Sequence, residues 1–145
     1  MYVDRAKTVS EDWLSLRQAL WPDTAEADQR PDMAAMVADP ERYAVFFCRD
    51  DRGVVGFAEA SLRTDYVNGC LQSPVVFLEG IFVAPQARRR GVAAALIEAV
   101  GDWARGKGVR ELASDALIDN LDSHAMHRAV GFSETDRVVY FRKEI

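Results

Sequence analysis

The chain switches repeatedly between two-residue alternation and helical spacing, and each switch marks an element. YVDRA, near the start, alternates as a short strand does. In SEDWLSLRQALW, residues Trp13, Leu14, Arg17, Leu20 and Trp21 recur at helical spacing. Ser10 is placed to cap that helix, Glu11 and Asp12 suit its first turn, and Pro22 ends it. A second helix is expected over residues 31–38, stopped by Asp39-Pro40. RYAVFFCRDDRGVVGFAEASLR reads as a hairpin, two strands joined at RDDRG. TDYVNGCLQS, rich in Asp, Asn and Gly, is a loop.

PVVFLEGIFVAP is a third long strand, apolar enough to be buried on both faces. From Gly91 the rhythm becomes helical, with Val92, Ala95, Leu96, Ala99, Val100 and Trp103 on one face and Gly106 and Gly108 at the end. VRELASDA is a strand, NLDSHAMHRAV a short helix closed by Gly131, and RVVYFRKEI a final strand. This order predicts a mixed α/β fold in one domain, residues 1–145, with a helix crossing between two parallel strands of a central sheet.

Composition narrows the functional classes. The 145 residues are 49% hydrophobic and 28% charged, the balance of an ordinary globular protein. No apolar run is long enough to span a bilayer and the N-terminus has no hydrophobic signal core, so a cytoplasmic protein without a membrane partner is expected. Cys48 and Cys70 are too few for a disulfide framework or a zinc cluster, and no metal is expected. The formal net charge of -5 argues against nucleic acid as a partner and suits a cationic substrate.

Between Pro85 and Ala93 a strand end, three arginines (Arg88, Arg89, Arg90) and a helix start follow one another. The first N–H groups of a helix lack intrahelical partners, and the helix dipole makes that end an anion site. Gly91 lets the backbone approach a ligand, Ala93 avoids crowding it, and the arginines add positive charge, so a pyrophosphate is the natural guest. There is neither a Gly-Lys-Ser/Thr loop nor a three-glycine dinucleotide fingerprint.

VAPQARRRGVA resembles the acetyl-CoA signature of the GNAT acetyltransferase superfamily, with Arg88, Gly91 and Ala93 at its three marked positions and Ala replacing the commoner second Gly. NLDSHAMHRAVGF is similar to the superfamily's next motif, with Asn120, Ser123, Gly131 and Phe132 correctly spaced. A narrower resemblance covers nearly the whole chain. LRQALWP, ASLRTDYVNGC, SPVVFLEGIFV, ELASDA and ETDRVVYFRK look like the chromosomal, dimeric branch of the aminoglycoside 6'-N-acetyltransferases.

That resemblance implies a GNAT acyltransferase fold and the transfer of acetyl from acetyl-CoA to the 6'-amine of an aminoglycoside, by direct attack with both substrates bound. It also implies antibiotic resistance and a homodimer. The backbone of Arg88, Arg89, Arg90, Gly91, Val92 and Ala93 would hold the CoA pyrophosphate. Ile81, Phe82 and Val83 would pair with the pantetheine arm, the Val83 N–H would polarise the thioester carbonyl, and Asn120 would lie near the same arm or simply cap its helix.

Glu79 interrupts an apolar strand, where an unpaired carboxylate is costly. It is either a partner in a cross-strand ion pair or the acceptor of the attacking amine's proton. Asp115, at a strand end, is a cap, or in the resembled family a ligand for the substrate's amino groups, and Asp136 has a matching acidic position there. Trp21 and Tyr66 lie in loops expected to flank the acceptor, Trp21 being equally a core candidate; Arg63 and Asp65 read as solvated loop charges. His127 stands where most superfamily members carry the Tyr that protonates the departing thiolate. The competing readings are the same chemistry on a polyamine or amino sugar, a CoA-binding module without catalysis, and a nucleic-acid binder using QARRRG.

Overall fold

In the computed structural model, which describes residues 1–145, five strands form one sheet in the order β1-β2-β3-β4-β5. They are β1 (Tyr2–Arg5), β2 (Tyr43–Asp50), β3 (Gly53–Arg63), β4 (Val75–Val83) and β5 (Leu112–Ser114). The first four are antiparallel neighbours, and β5 runs parallel to β4. Helices α1 (Glu11–Leu20) and α2 (Glu26–Ala38) follow β1, α3 (Val92–Gly106) crosses from β4 to β5, and α4 (Leu121–Ala129) follows β5.

Two apolar layers hold this arrangement. Leu96, Val100 and Ala104 of α3 pack on Ala58, Ala60, Val76 and Leu78 of the sheet. Trp13, Leu14 and Met33 of α1 and α2 pack with Val45, Phe47 and Phe57. Alternate residues of β3 and β4 feed the two layers, which is why both strands carry apolar side chains on successive positions. A smaller cluster of Val67, Val75, Phe77 and Ala113 lies beneath the loop 64–74.

The caps follow the sequence. Ser10 Oγ accepts the Trp13 N–H at 3.3 Å, and Asn120 Oδ1 accepts that of Ser123 at 3.1 Å. The hairpin turns at Asp51-Arg52, as expected from RDDRG.

Three expectations need correction. Helix α2 begins at Glu26, not at residue 31, and carries Pro31 inside it. The buried Gln29, whose side chain grips the α1–α2 turn, secures the first turn that the proline only follows. β5 has three residues only, so β4 is paired on that side from Val76 to Leu78 and no further. RVVYFRKEI forms no strand: Val138, Val139, Tyr140, Phe141 and Ile145 are exposed. A strand needs a neighbour's N–H and C=O groups, and this segment joins no ladder within its own chain.

Candidate active site

The centre of the site is an irregularity in β4. β3 pairs Glu59 with Gly80 and Ala60 with Leu78, leaving Glu79 as the extra residue of a bulge. The bulge turns Glu79 and Gly80 towards the α1 face. The Trp21 indole lies so close to Gly80 that a Cβ there would come within 2.5 Å of it. Trp21 is therefore half-buried, edge-on to Phe57 and stacked beneath the Arg17 guanidinium, and it is both a core residue and a wall beside Glu79.

Glu79 makes the cross-strand ion pair that the sequence left open. Arg63 Nη2 donates to Oε1 and Oε2, each at 2.9 Å, Arg63 Nε donates to Oε1 at 3.1 Å, and the Ser61 hydroxyl donates to the same oxygen at 2.5 Å. Arg63 is thus not a solvated loop charge. It is the last residue of β3, two positions from Ser61 and on the same face, and its guanidinium lies 3.7 Å from the Phe77 ring centroid. One lobe of Oε2 remains for a further partner.

A cavity of about 700 Å³ opens from Glu79, lined among others by Ser61, Arg63, Asp65, Asp39 and Glu41. Its carboxylates, Asp39, Glu41, Asp65 and Glu79, outnumber the arginines Arg42 and Arg63, a balance that suits a cation. Tyr66 is 73% exposed in the adjoining loop. Asp115 follows β5 directly, is exposed and makes no side-chain hydrogen bond or ion pair. Asp136 is exposed in the C-terminal segment, where its neighbour Thr135 packs directly on Gly69 of the loop that carries Tyr66. No contact joins Asp136 to Glu79 or Asp115.

Beyond Leu78, β4 continues to Val83 without β5 beside it. The Ala84 N–H bonds Val55 O on β3, so the N–H groups of Ile81 and Val83, on alternate positions, point to the open side. The Arg88 Nε confirms that direction by donating to Val83 O at 3.0 Å. Ile81 and Val83 pack their side chains on the α3 layer, and Phe82 packs on the α1 layer.

At the end of this open edge a 3₁₀ turn (Pro85–Ala87) leads through Arg89 at φ 60° and Gly91 at φ 81° into α3. Such left-handed positions bend successive N–H groups into one concavity. Gly91 is the one residue type that takes this φ without strain, and no side chain caps the helix start, so the N–H groups of Val92 and Ala93 are free. The three arginines differ in role: Arg88 holds Val83, Arg90 pairs with Asp50 at 3.1 Å, and Arg89 is exposed without a partner. The open edge and this turn fit a pantetheine arm and a pyrophosphate.

His127, on α4, is engaged through both ring nitrogens. Nδ1 lies 2.7 Å from Ser123 O, and Nε2 lies 2.7 Å from Ser114 Oγ. Since a carbonyl only accepts, Nδ1 carries a proton, and Nε2 shares a hydrogen bond with the Ser114 hydroxyl, which can donate or accept. Phe132 packs edge-on against the imidazole. Asn120 spends its Oδ1 on the α4 cap.

Ser61, Ser114 and Glu59 were missed by sequence reasoning. The hydroxyls carry no pattern. Glu59 had the same signal as Glu79, a lone carboxylate in an apolar strand, VVGFAEASL.

Residues 11–132 match the family model of the Acetyltransferase (GNAT) family. An aminoglycoside N(6')-acetyltransferase type 1 from Serratia marcescens is 52% identical over 133 residues, 92% of this chain and 91% of its own. One from Acinetobacter genomosp. 13 is 46% identical over 97% of this chain and 95% of its own. The crystal structure of the aminoglycoside 6'-N-acetyltransferase AAC(6')-IG from Acinetobacter haemolyticus superposes with a TM-score of 0.92, at 44% identity over 100% of this chain and 99% of that one. AAC(6')-Iy, in complex with a bisubstrate analogue, CoA-S-monomethyl-acetylneamine, superposes at 0.90 with 43% identity, covering both chains fully. The family match, the identities and the superpositions agree: the chain belongs to the acetyltransferase (GNAT) family, with aminoglycoside N(6')-acetyltransferases as its curated relatives.

Proposed function

We propose that the chain transfers the acetyl group of acetyl-CoA to the 6'-amine of aminoglycoside antibiotics and so confers resistance to them, as one domain in the cytoplasm. The observation that carries this reading is the open edge of β4. It lies between the turn of free N–H groups on one side and Glu79 with its acidic cavity on the other. A thioester threaded along that edge meets an amine arriving from the cavity.

The reaction joins the amine nitrogen to the thioester carbon and breaks the C–S bond. The ammonium first loses a proton to Glu79, directly or through water, at the free lobe of Oε2. Trp21, Tyr66, Asp115 and Asp136 face or flank the sugar, the carboxylates taking its amino groups. The Val83 N–H donates to the carbonyl oxygen as negative charge grows there, an interaction of about 3 kcal/mol when well aimed. The departing thiolate takes a proton through the Ser114 hydroxyl. The nitrogen sheds its second proton to water as the C–S bond breaks, and a His127 ring that has taken a proton from solvent donates at Nε2 to Ser114 Oγ and restores it. The backbone of residues 88–93 holds the pyrophosphate, and Asn120 fixes the start of α4 beside the arm.

The exposed apolar residues of the C-terminal segment support a homodimer in which this segment finds its ladder on the second copy.

The test is CoA release from acetyl-CoA with kanamycin or tobramycin, beside spermidine and a lysine peptide, with mass spectrometry of the product. Rapid acetylation at the 6' position, with the other amines slow, is expected. Turnover of spermidine alone would overturn the acceptor, and silence with every amine would leave a binding module.

A further inference from the structure

β3 buries a second carboxylate that none of the chemistry above uses. Glu59 is 0% exposed at the middle of the strand, directly opposite Gly80 of the bulge. Burying a carboxylate is unfavourable by several kcal/mol unless it is paired, and a leucine would fill the place more simply.

Its partners all lead to one residue. The Trp13 Nε1–H donates to Glu59 Oε1 at 2.8 Å, and Arg17 Nε sits 2.9 Å from the same oxygen. Arg17 is itself 5% exposed, and its Nη1 donates to Gln29 O at 3.0 Å. The Gln29 amide then donates to the carbonyls of Trp21 at 3.3 Å and Thr24 at 3.0 Å. The guanidinium also lies 4.9 Å from the Trp21 ring centroid. Trp21 is thus gripped at its backbone through Gln29 and at its ring by Arg17, and the far edge of that ring rests on Gly80, next to Glu79.

We infer that Glu59 is a positioning residue for the acceptor: through Arg17 it holds Trp21 against the bulge and cancels the buried cation that stacks on that ring. This rests on Trp21 being a wall of the acceptor cleft. Without the carboxylate, Arg17 keeps its charge, loses its anchor, and both frees the indole and repels a polycation. Acetyl-CoA, held on the open edge and the α3 turn as proposed, would touch none of these groups.

Glu59→Gln, assayed at pH 8, preserves the shape and the Trp13 hydrogen bond while removing the charge. KM for kanamycin is expected to rise about tenfold, the scale of one lost stacking contact, with KM for acetyl-CoA unchanged. In a Trp21→Ala background the part of the effect carried by the indole disappears, and only the smaller effect of the uncompensated Arg17 charge remains. Equal changes in both KM values, or a full effect that persists without Trp21, overturn the inference. Arg17→Lys approaches from the other end, keeping a cation while losing the fork that reaches Gln29. It decides the matter by the same KM comparison if Glu59→Gln does not fold. Trp21→Ala alone separates the two levels. If it leaves KM for kanamycin unchanged, both the wall and its support are overturned; if it raises that KM while Glu59→Gln does not, only the role of Glu59 falls.

Discussion

Arg63 holds Glu79 in a two-pronged grip, its Nη2 2.9 Å from each carboxylate oxygen. The candidate base of the reaction is therefore an oriented, ion-paired group with one lobe left for the incoming amine. A fork of this kind fixes the plane of a carboxylate as a lysine would not.

Glu79→Gln should lower kcat/KM for kanamycin about 100-fold, the lower end of what a positioned proton acceptor contributes. KM for acetyl-CoA should hold. The ion pair is partly exposed, so the melting temperature should barely move. Steady-state kinetics beside a thermal melt give both readouts, and a large melting shift with unchanged kinetics would make the pair structural.

Gly91→Ala places a methyl in open space, so its effect is conformational. The left-handed φ of 81° should cost about 1 kcal/mol of stability. A shifted turn should also raise KM for acetyl-CoA by about tenfold through misdirected N–H groups. An acetyl-CoA titration followed by calorimetry checks it.

Ser114 and His127 should act as a unit. Ser114→Ala and His127→Ala are each expected to lower kcat by about tenfold, and the double variant by little more than either. Multiplicative losses in the double-mutant cycle would mean separate roles.

Glu59 gives a pH signature. Burial pushes its carboxyl up to about 7, against the opposing pull of Arg17 and Trp13. The folded state then binds the proton more tightly than the unfolded chain, whose carboxyl titrates near 4.5. The stability from this group is full below that lower value, is lost as pH rises to about 7, and is constant above. Urea midpoints at pH 5 and pH 8 should therefore differ more in the parent protein than in Glu59→Gln.

Ending the chain at residue 136 removes Val138, Val139, Tyr140 and Phe141. The shortened protein should elute as a monomer where the full chain elutes as a dimer. Identical elution volumes would place the contact elsewhere.

The elements that are complete within one chain were legible in the sequence. Ser10 and Asn120 signalled their caps, RDDRG its turn, and the face from Val92 to Trp103 its helix, because each depends on neighbours a few residues away. α2 was misjudged because its first turn is secured by tertiary bonds from Gln29, which outweigh the boundary that Pro31 suggests. RVVYFRKEI reads as a strand and is one only where another ladder receives it, and no local pattern says which chain supplies that ladder. In the site, Glu79 and Gly91 stood out as exceptions to their surroundings, whereas Val83 was singled out only by the family resemblance. Ser61 and Ser114 did not, since a hydroxyl suits almost any environment and only register puts it opposite a carboxylate or an imidazole.

The half-open β4 carries one more consequence. Beyond Leu78 the sheet has no strand on the β5 side of β4. A pantetheine arm bound as proposed, with amides of its own, would fill that gap, so the co-substrate would serve as a piece of the fold as well as a reagent. Mass action then ties folding to metabolism: a hundredfold excess over Kd would stabilise the protein by about 2.7 kcal/mol. In a cell well supplied with acetyl-CoA the sheet would rarely stand bare, and starvation of that pool would expose it to unfolding and proteolysis at the same moment as it halts acetylation.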